Sequence, residues 1–157
     1  MSKAAVRIFT RGNLAALCSS FCLIGPAWGA LGGDYASVES DRQAMRAQLR
    51  STPAVQYDVH EISSASGTIV REYVSRAGKV FAITWQAPVM PDLRQLLGEY
   101  FDRYTAAAAS PRPGAHRQFA VRRPDVVVES SGHLRAFRGK AYVPAALPDG
   151  VSASDLQ

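Results

Sequence analysis

Hydrophobic and polar residues recur with helical spacing in two parts of the chain, and each part predicts a helix. The first is predicted over 37–50, where Pro53 would end it. The second is predicted over 91–104, because leucine and aromatic residues recur there every three or four positions behind Pro91 and Asp92. Arginines at every fourth position would form a solvated stripe on the first helix: Arg42, Arg46 and Arg50.

Between and after these helices, short runs of alternating residues predict strands. The runs 55–62, 68–75 and 79–86 are separated by turns, which predicts an antiparallel meander. The run 79–86 is apolar on both faces, so it should be a central strand. A second group of strands lies within 118–143. The predicted fold is α+β, an antiparallel sheet of about five to six strands with two helices packed on one face and a signal peptide in front.

Three segments lack these periodic patterns. Proline, glycine and small residues over 106–116 indicate an exposed, flexible loop. After Pro144 the chain reads as a polar tail. The pair Gly32-Gly33 is not a phosphate loop, because no strand precedes it, and we expect a flexible start there.

Residues 1–29 have the three parts of a secretory signal peptide. A basic start precedes an uncharged, mostly apolar run over 14–24, which is shorter than the roughly 20 residues that span a bilayer. A signal peptidase requires small residues one and three places before its cut. Gly29 and Ala27 meet this requirement if the cut follows Gly29, so we expect a mature start at Ala30. A cut after Ala30 would put bulky Trp28 where a small residue is needed. Less favoured interpretations of this segment are an uncleaved membrane anchor and an ordinary helix.

Removal of this segment changes the composition of what remains, a single domain over 30–157. Both cysteines, Cys18 and Cys22, are lost, so the mature chain forms no disulfide and no thiolate metal site. Three basic residues are lost as well, and the net charge falls from +5 to +2. The basic character of the whole chain is therefore weak support for nucleic acid as a partner. The mature chain contains no transmembrane candidate.

Six blocks follow one another along the mature chain: ALGG, YDVHE, GTIVREYVSRAGKVFAITWQAP, PDLRQLLGEYF, SGHLRAFRGKAYVP and LPDGV. In their order and spacing they resemble a bacterial family of exported proteins, the one catalogued as domain of unknown function 2844. The resemblance runs from Ala30 to about Val151. It implies a signal peptide and export in proteobacteria, and it implies no activity, because none is established for the family.

Two histidines are the main candidates for chemistry. If the first and last predicted hairpins were adjacent, His60 and His133 would converge with Glu72 on an open sheet face, as a metal or acid–base site. The competing interpretation is that they are structural or surface residues, because no two histidines have the short spacing of zinc motifs. We assign no catalytic, cofactor-binding or metal-binding residue. The candidate surface site comprises His60, Glu61, Glu72, His133 and Arg135.

The segment 133–142 mixes basic and aromatic residues, with Arg135, Arg138 and Lys140 among them. Such a mixture suits single-stranded nucleic acid, but export argues against that partner. An acidic glycan, a lipid head group or another envelope protein is accessible to an exported chain. A further interpretation is an edge hairpin with protective charges.

The sequence therefore favours an exported, periplasmic or secreted, non-enzymatic protein that binds a partner or assists assembly in the envelope. The expected partner is an envelope protein or glycan, and no cofactor is expected. The alternative is a small envelope hydrolase or metal-dependent enzyme that uses His60 and His133. An enzyme is the less favoured class, because the sequence contains no nucleophile elbow of the G-x-S-x-G type.

Overall fold

Seven antiparallel strands form one sheet, and residues 30–109 and 118–157 are described in the computed structural model. The strands are β1 (Gln48–Pro53), β2 (Tyr57–Ser63), β3 (Ile69–Ser75), β4 (Val80–Ala87), β5 (Gln118–Arg122), β6 (Val127–His133) and β7 (Ala136–Tyr142). Across the sheet their order is β1-β2-β3-β4-β7-β6-β5. The helices are α1 (Tyr35–Ala44), α2 (Leu93–Leu97) and α3 (Phe101–Ala108), with 3-10 turns at Gly98–Tyr100 and Pro144–Ala146.

The predicted meander and its central strand are confirmed. Strands β2, β3 and β4 pair in sequence order, and β4 lies in the middle of the sheet, between β3 and β7. In the β3–β4 ladder Tyr73 pairs with Ala82 and Val74 pairs with Val80, so Phe81 is an extra residue. This bulge turns Phe81 and Ala82 to the same side of the sheet.

Apolar residues pack on both faces of the sheet, because successive side chains of a strand point to opposite sides. On one side, the helix face, Val38 of α1 and Leu97 of α2 pack against Ile83 and its neighbours. On the other side, the tail face, Leu156 near the C-terminal end packs with Tyr73 and Phe81. The helices therefore cover one face, as the sequence predicts.

The helix predicted over 37–50 is wrong in its second half. Helix α1 ends at Ala44, and Arg46 has φ of 49°, which a right-handed helix does not allow. Residues Gln48–Pro53 form β1 instead and pair with β2, so the arginine stripe does not form. Backbone pairing in the sheet outweighs the helical spacing of these side chains. The strand count therefore rises above the predicted five to six, and Pro53 is tolerated because β1 is an edge strand.

The start of the described chain is built into the fold, in contrast to the flexible start expected around Gly32-Gly33. Leu31 N donates to the carbonyl oxygen of Leu96 at 3.1 Å, and Gly32 N donates to that of Val80 at 2.9 Å. Gly32 has φ of 83°, in the left-handed region that favours glycine. Asp34 then caps α1, where its carboxylate accepts from Ala36 N at 2.9 Å.

The second predicted helix is divided in two. Asp92 caps α2, Gly98 has φ of 52° within the 3-10 turn, and α3 continues to Ala108. The predicted loop over 106–116 therefore begins later than expected. Residues 110–117, with His116, lie outside the described residues, as does the predicted signal peptide over 1–29.

The C-terminal segment is held against the tail face rather than extending from the domain. Leu156 is only 5% exposed, and the carbonyl oxygen of Gln157 accepts from Tyr73 Oη at 2.6 Å and from Thr84 Oγ1 at 3.1 Å. Lys140 Nζ donates to the carbonyl oxygen of Ala153 at 2.9 Å. The tail is thus polar in most of its sequence, but its Leu156 side chain is buried against the sheet.

We predict that Gly139→Ala destabilises the protein by about 1–3 kcal/mol, the usual cost of overpacking. A Cβ at Gly139 on β7 would lie 2.1 Å from Trp85 Cζ2 and 2.5 Å from the carbonyl oxygen of Glu129. Urea unfolding measures the change. The matched control is Ala136→Val on the same strand, which is exposed and should leave the free energy of unfolding within about 0.5 kcal/mol of wild type.

Candidate functional site

The five residues of the predicted surface site lie in three different places. His60 on β2 is directly paired with Glu72 on β3, so both side chains lie on the helix face. Glu61 points to the tail face, where it forms an ion pair with Arg71 at 2.8 Å. His133 ends β6 and Arg135 lies in the exposed turn that follows.

The structure does not bring His60 and His133 together. Their strands are separated by β3, β4 and β7, a lateral distance of roughly 19 Å at the usual strand spacing. Alternation also places the two histidines on opposite faces. Val128 on β6 lies on the helix face, as His60 does. His133 is an odd number of positions further along β6, so it points to the tail face. The predicted convergence depended on adjacent hairpins, and the insertion of β7 beside β4 excludes that arrangement.

A pair of buried carboxyl groups lies under α1 instead. Asp41 on α1 and Glu72 on β3 are 2% and 0% exposed. Gln95 Nε2 donates to Asp41 Oδ1 at 2.8 Å. Asp41 Oδ2 and both carboxyl oxygens of Glu72 receive no N–H or hydroxyl donor among the described residues. We call Asp41 and Glu72 the carboxyl pair.

The carboxyl pair is stabilised when it holds a proton. Burial raises the pKa of both groups, and burial together with the charge of Asp41 raises the pKa of Glu72 to about 9. The two side chains are within hydrogen-bonding distance, so a protonated Glu72 donates to Asp41. Two buried carboxylates would require a nearby cation to offset their charge. A single proton shared by the pair takes the place of that cation.

His60 is a neutral, buried neighbour of this pair. Burial lowers the pKa of its imidazole. Its Nδ1 lies 2.8 Å from Ser51 Oγ, and the edge of the Tyr35 ring packs against it with centroids 5.2 Å apart. These contacts give His60 a structural role. Within residues 30–109 and 118–157, no group of three or more His, Cys, Asp or Glu side chains is placed to hold a metal ion.

An open groove on the tail face offers accessible polar groups. It lies beyond Leu156 and Gln157, runs across β3, β4, β7, β6 and β5, and has a volume of about 810 Å³. Its charged side chains are Arg71, Arg122, Glu129, Arg138 and Lys140. Thr84, Gln86, Gln118 and Ser131 add uncharged hydrogen-bonding groups. We call this surface the basic groove.

Most of the cations in the basic groove already have a partner. Glu129 accepts from Arg122 at 2.6 Å and lies 3.7 Å from Lys140 Nζ, and Arg71 is paired with Glu61. The guanidinium of Arg138 is exposed and forms no ion pair with any described residue. The groove is lined by four cationic side chains and one acidic side chain, Glu129. Its net charge is therefore positive, which suits an anionic ligand.

Part of this groove is identifiable from the sequence. Arg138 and Lys140 belong to the basic segment 133–142, and they line the groove. Arg71 and Arg122 were missed, because they come from distant strands and their meeting depends on the strand order. The only local signal for them is alternation, which places each on the polar side of its strand. Asp41 was missed for the same reason, because its place in the predicted helix does not predict that it contacts Glu72 on β3.

The chain belongs to a known family. The family model described as protein of unknown function (DUF2844) matches residues 27–156, which confirms the resemblance stated from the sequence. No curated protein and no solved structure matches the chain.

Across the described part of the chain, every helix is too short or too polar to cross a bilayer. The longest of them, α1, has 10 residues.

We predict that Glu72→Gln flattens the pH dependence of stability in the unprocessed chain. Folded Glu72 holds its proton up to a pKa of about 9, whereas the ordinary value is 4.5. Between these values the folded state binds more protons than the unfolded state, so stability falls as pH rises, by up to about 1.4 kcal/mol per unit. Urea unfolding at pH 5, 6, 7 and 8 measures this slope.

The control for this prediction is Glu61→Gln, which removes a half-buried ion pair with Arg71. It should lower stability by less than about 1 kcal/mol and leave the slope unchanged. Equal slopes in wild type and Glu72→Gln would contradict the assignment of the proton to the carboxyl pair.

Proposed function

As a member of a family of unknown function, the chain inherits no activity, and we propose that it is an exported bacterial protein that binds an anionic glycan in its basic groove. In this proposal it is a binding or assembly factor of the cell envelope and performs no catalysis.

The observation that carries the proposal is the exposed guanidinium of Arg138 in a groove of about 810 Å³. This volume falls in the usual range for ligand sites. The planar guanidinium forms paired hydrogen bonds with carboxylate or sulfate. Because Arg122 and Lys140 share Glu129, Arg138 is the cation that a ligand reaches without first breaking an ion pair between described residues.

The uncharged groups favour a glycan over a lipid head group or a second protein. Thr84, Gln86, Gln118 and Ser131 line the same groove and offer donors and acceptors that match sugar hydroxyls. The groove is open and crosses five strands. An extended, carboxylated polysaccharide therefore fits it better than a compact head group.

The alternative function, a hydrolase or metal-dependent enzyme, finds less support. It requires His60 and His133 in one site, and these residues lie on opposite faces of the sheet. His60 is also 5% exposed, and neither histidine lines the basic groove.

Export is supported by the sequence features of residues 1–29. The matched range of the family begins at residue 27, close to the expected cut after Gly29.

We predict that Arg138→Glu weakens binding of polygalacturonate, a carboxylated polysaccharide, by at least about tenfold. A loss of about 1.4 kcal/mol corresponds to that factor, and a charge-assisted hydrogen bond contributes this much. Titration calorimetry at two salt concentrations measures the affinity, which should fall with added salt.

The matched control is Arg50→Glu, which makes the same change of charge on exposed β1, outside the groove. It should leave the affinity within about twofold, because distant exposed charges are screened. Dextran, which is neutral, should bind to neither protein. If wild type fails to bind polygalacturonate, or Arg138→Glu binds as wild type does, the groove is not a site for anionic glycans.

We further predict that the chain, produced in a proteobacterium, is recovered outside the cytosol without residues 1–29. Mass spectrometry of the native protein should find its first residue at Ala30. Replacing Ala27 and Gly29 with bulky residues should cause the uncut chain to accumulate, because the peptidase requires small residues there. An intact Met1 start in the soluble cell interior would contradict the proposal of export.

A further inference from the structure

The backbone nitrogen of Ala30 has a fixed position inside the protein. Ala30 and Leu31 are 0% and 2% exposed. Hydrogen bonds from Leu31 N to Leu96 O and from Gly32 N to Val80 O hold the next residues between α2 and the sheet. Gly33 N closes a turn onto the carbonyl oxygen of Ala30 at 3.0 Å. These contacts therefore fix the position of the Ala30 nitrogen within the fold.

That nitrogen lies near the carboxyl pair. The backbone N–H of Ala30 is close enough to Asp41 to lower the pKa of that carboxyl, against the larger raising effect of burial. Asp41 Oδ2 and both oxygens of Glu72 have no N–H or hydroxyl donor among the described residues. Asp92, at the start of α2, adds a further negative charge toward Asp41. None of the ion pairs of the described chain includes Asp41 or Glu72.

The site therefore has the composition of an ion pair that lacks its cation. Taking two carboxyl groups out of water is costly unless a positive group or a proton offsets their charge. The three buried oxygens without donors are acceptors that the hydrogens of an ammonium group could use. A backbone N–H has one hydrogen to donate, whereas an ammonium group has three.

Cleavage after Gly29 would supply the missing group at this place. Water adds across the Gly29–Ala30 peptide bond, so Gly29 keeps the hydroxyl oxygen as a carboxylate and the nitrogen of Ala30 becomes an amine. An α-amino group has a pKa of about 7.7–8.0, and it is protonated near neutral pH. The product is an ammonium with three N–H donors on the nitrogen that lies near Asp41.

We propose that processing of the chain creates a buried ion pair between the α-ammonium group of Ala30 and the carboxyl pair of Asp41 and Glu72. The inference rests on the export proposed above, and it adds that the cut completes the interior of the protein. The α-ammonium group displaces the shared proton as the positive partner, and both carboxyl groups then ionise. The precursor and the mature protein consequently differ in the charge state of their core.

The test is the reactivity of the α-amino group in the processed protein. The exported chain is treated at pH 7 with formaldehyde and a hydride reductant, and mass spectrometry follows dimethylation of its first residue. In the folded protein we expect labelling at least about tenfold slower than in urea, because one unit of raised pKa alone removes nine-tenths of the free amine. Lys79, whose side chain is not part of this site, reports general reactivity in the same sample.

Two variants separate the ion pair from simple burial. A processed chain with one extra alanine before Ala30 moves the ammonium away from Asp41, so we expect equal labelling in folded and unfolded protein. Its Tm should fall by about 5–10 °C, because a buried pair has lost one partner. Ala30→Gly keeps the amine in place and is the matched control, for which protection should persist. Asp41→Asn with Glu72→Gln should abolish protection, and the extra-alanine chain gives the answer if this double variant does not fold.

The possible outcomes distinguish this inference from the proposed function. A mature start at Ala30 with an amine that is labelled equally fast in folded and unfolded protein would overturn the ion pair and leave export intact. A mature start at Leu31 or later would do the same. An uncut chain in the cytosol would overturn both. Glycan binding is measured separately on the opposite face, so its loss leaves this inference unaffected.

Discussion

Strand β4 requires an apolar cover on both of its faces, and much of the architecture follows from how that cover is supplied. Seven of its eight residues are buried. The three helices cover the helix face, whereas among the described residues only the C-terminal segment, as far as Leu156 and Gln157, covers the tail face. Beyond that point the same face stays open and polar. The basic groove is thus the part of the sheet over which residues 30–109 and 118–157 place no second layer.

The parts of the fold that depend on local periodicity could be predicted from the sequence, and those that depend on distant pairing could not. Alternation identifies β2, β3 and β4, and the run of apolar residues in β4 marks it as central. For residues 48–50 the sequence predicts the end of a helix, because their spacing fits one and the partner strand of β1 is found only in the folded protein. The same limit applies to the histidines, whose separation is decided by β7 pairing with β4.

The two polar sites differ in how much of each the sequence could reveal. Arg138 and Lys140 are two residues apart, so their common face follows from alternation alone. The carboxyl pair joins a helix to a strand, and in the sequence Asp41 and Glu72 resemble ordinary solvated acids. Burial changes their chemistry, and burial is a property of the whole domain. The groove is open to solvent, whereas both members of the carboxyl pair are buried.

The edge strand β1 has a consequence for the behaviour of the protein in a crowded compartment. Its outer side would expose a row of unpaired N–H and carbonyl groups, which in many sheets recruits another molecule. Here Pro53 removes one donor, and Arg50 places an exposed charge midway along the strand. A second copy would have to bury that charge in order to extend the sheet. The edge therefore resists aggregation even at high local concentration.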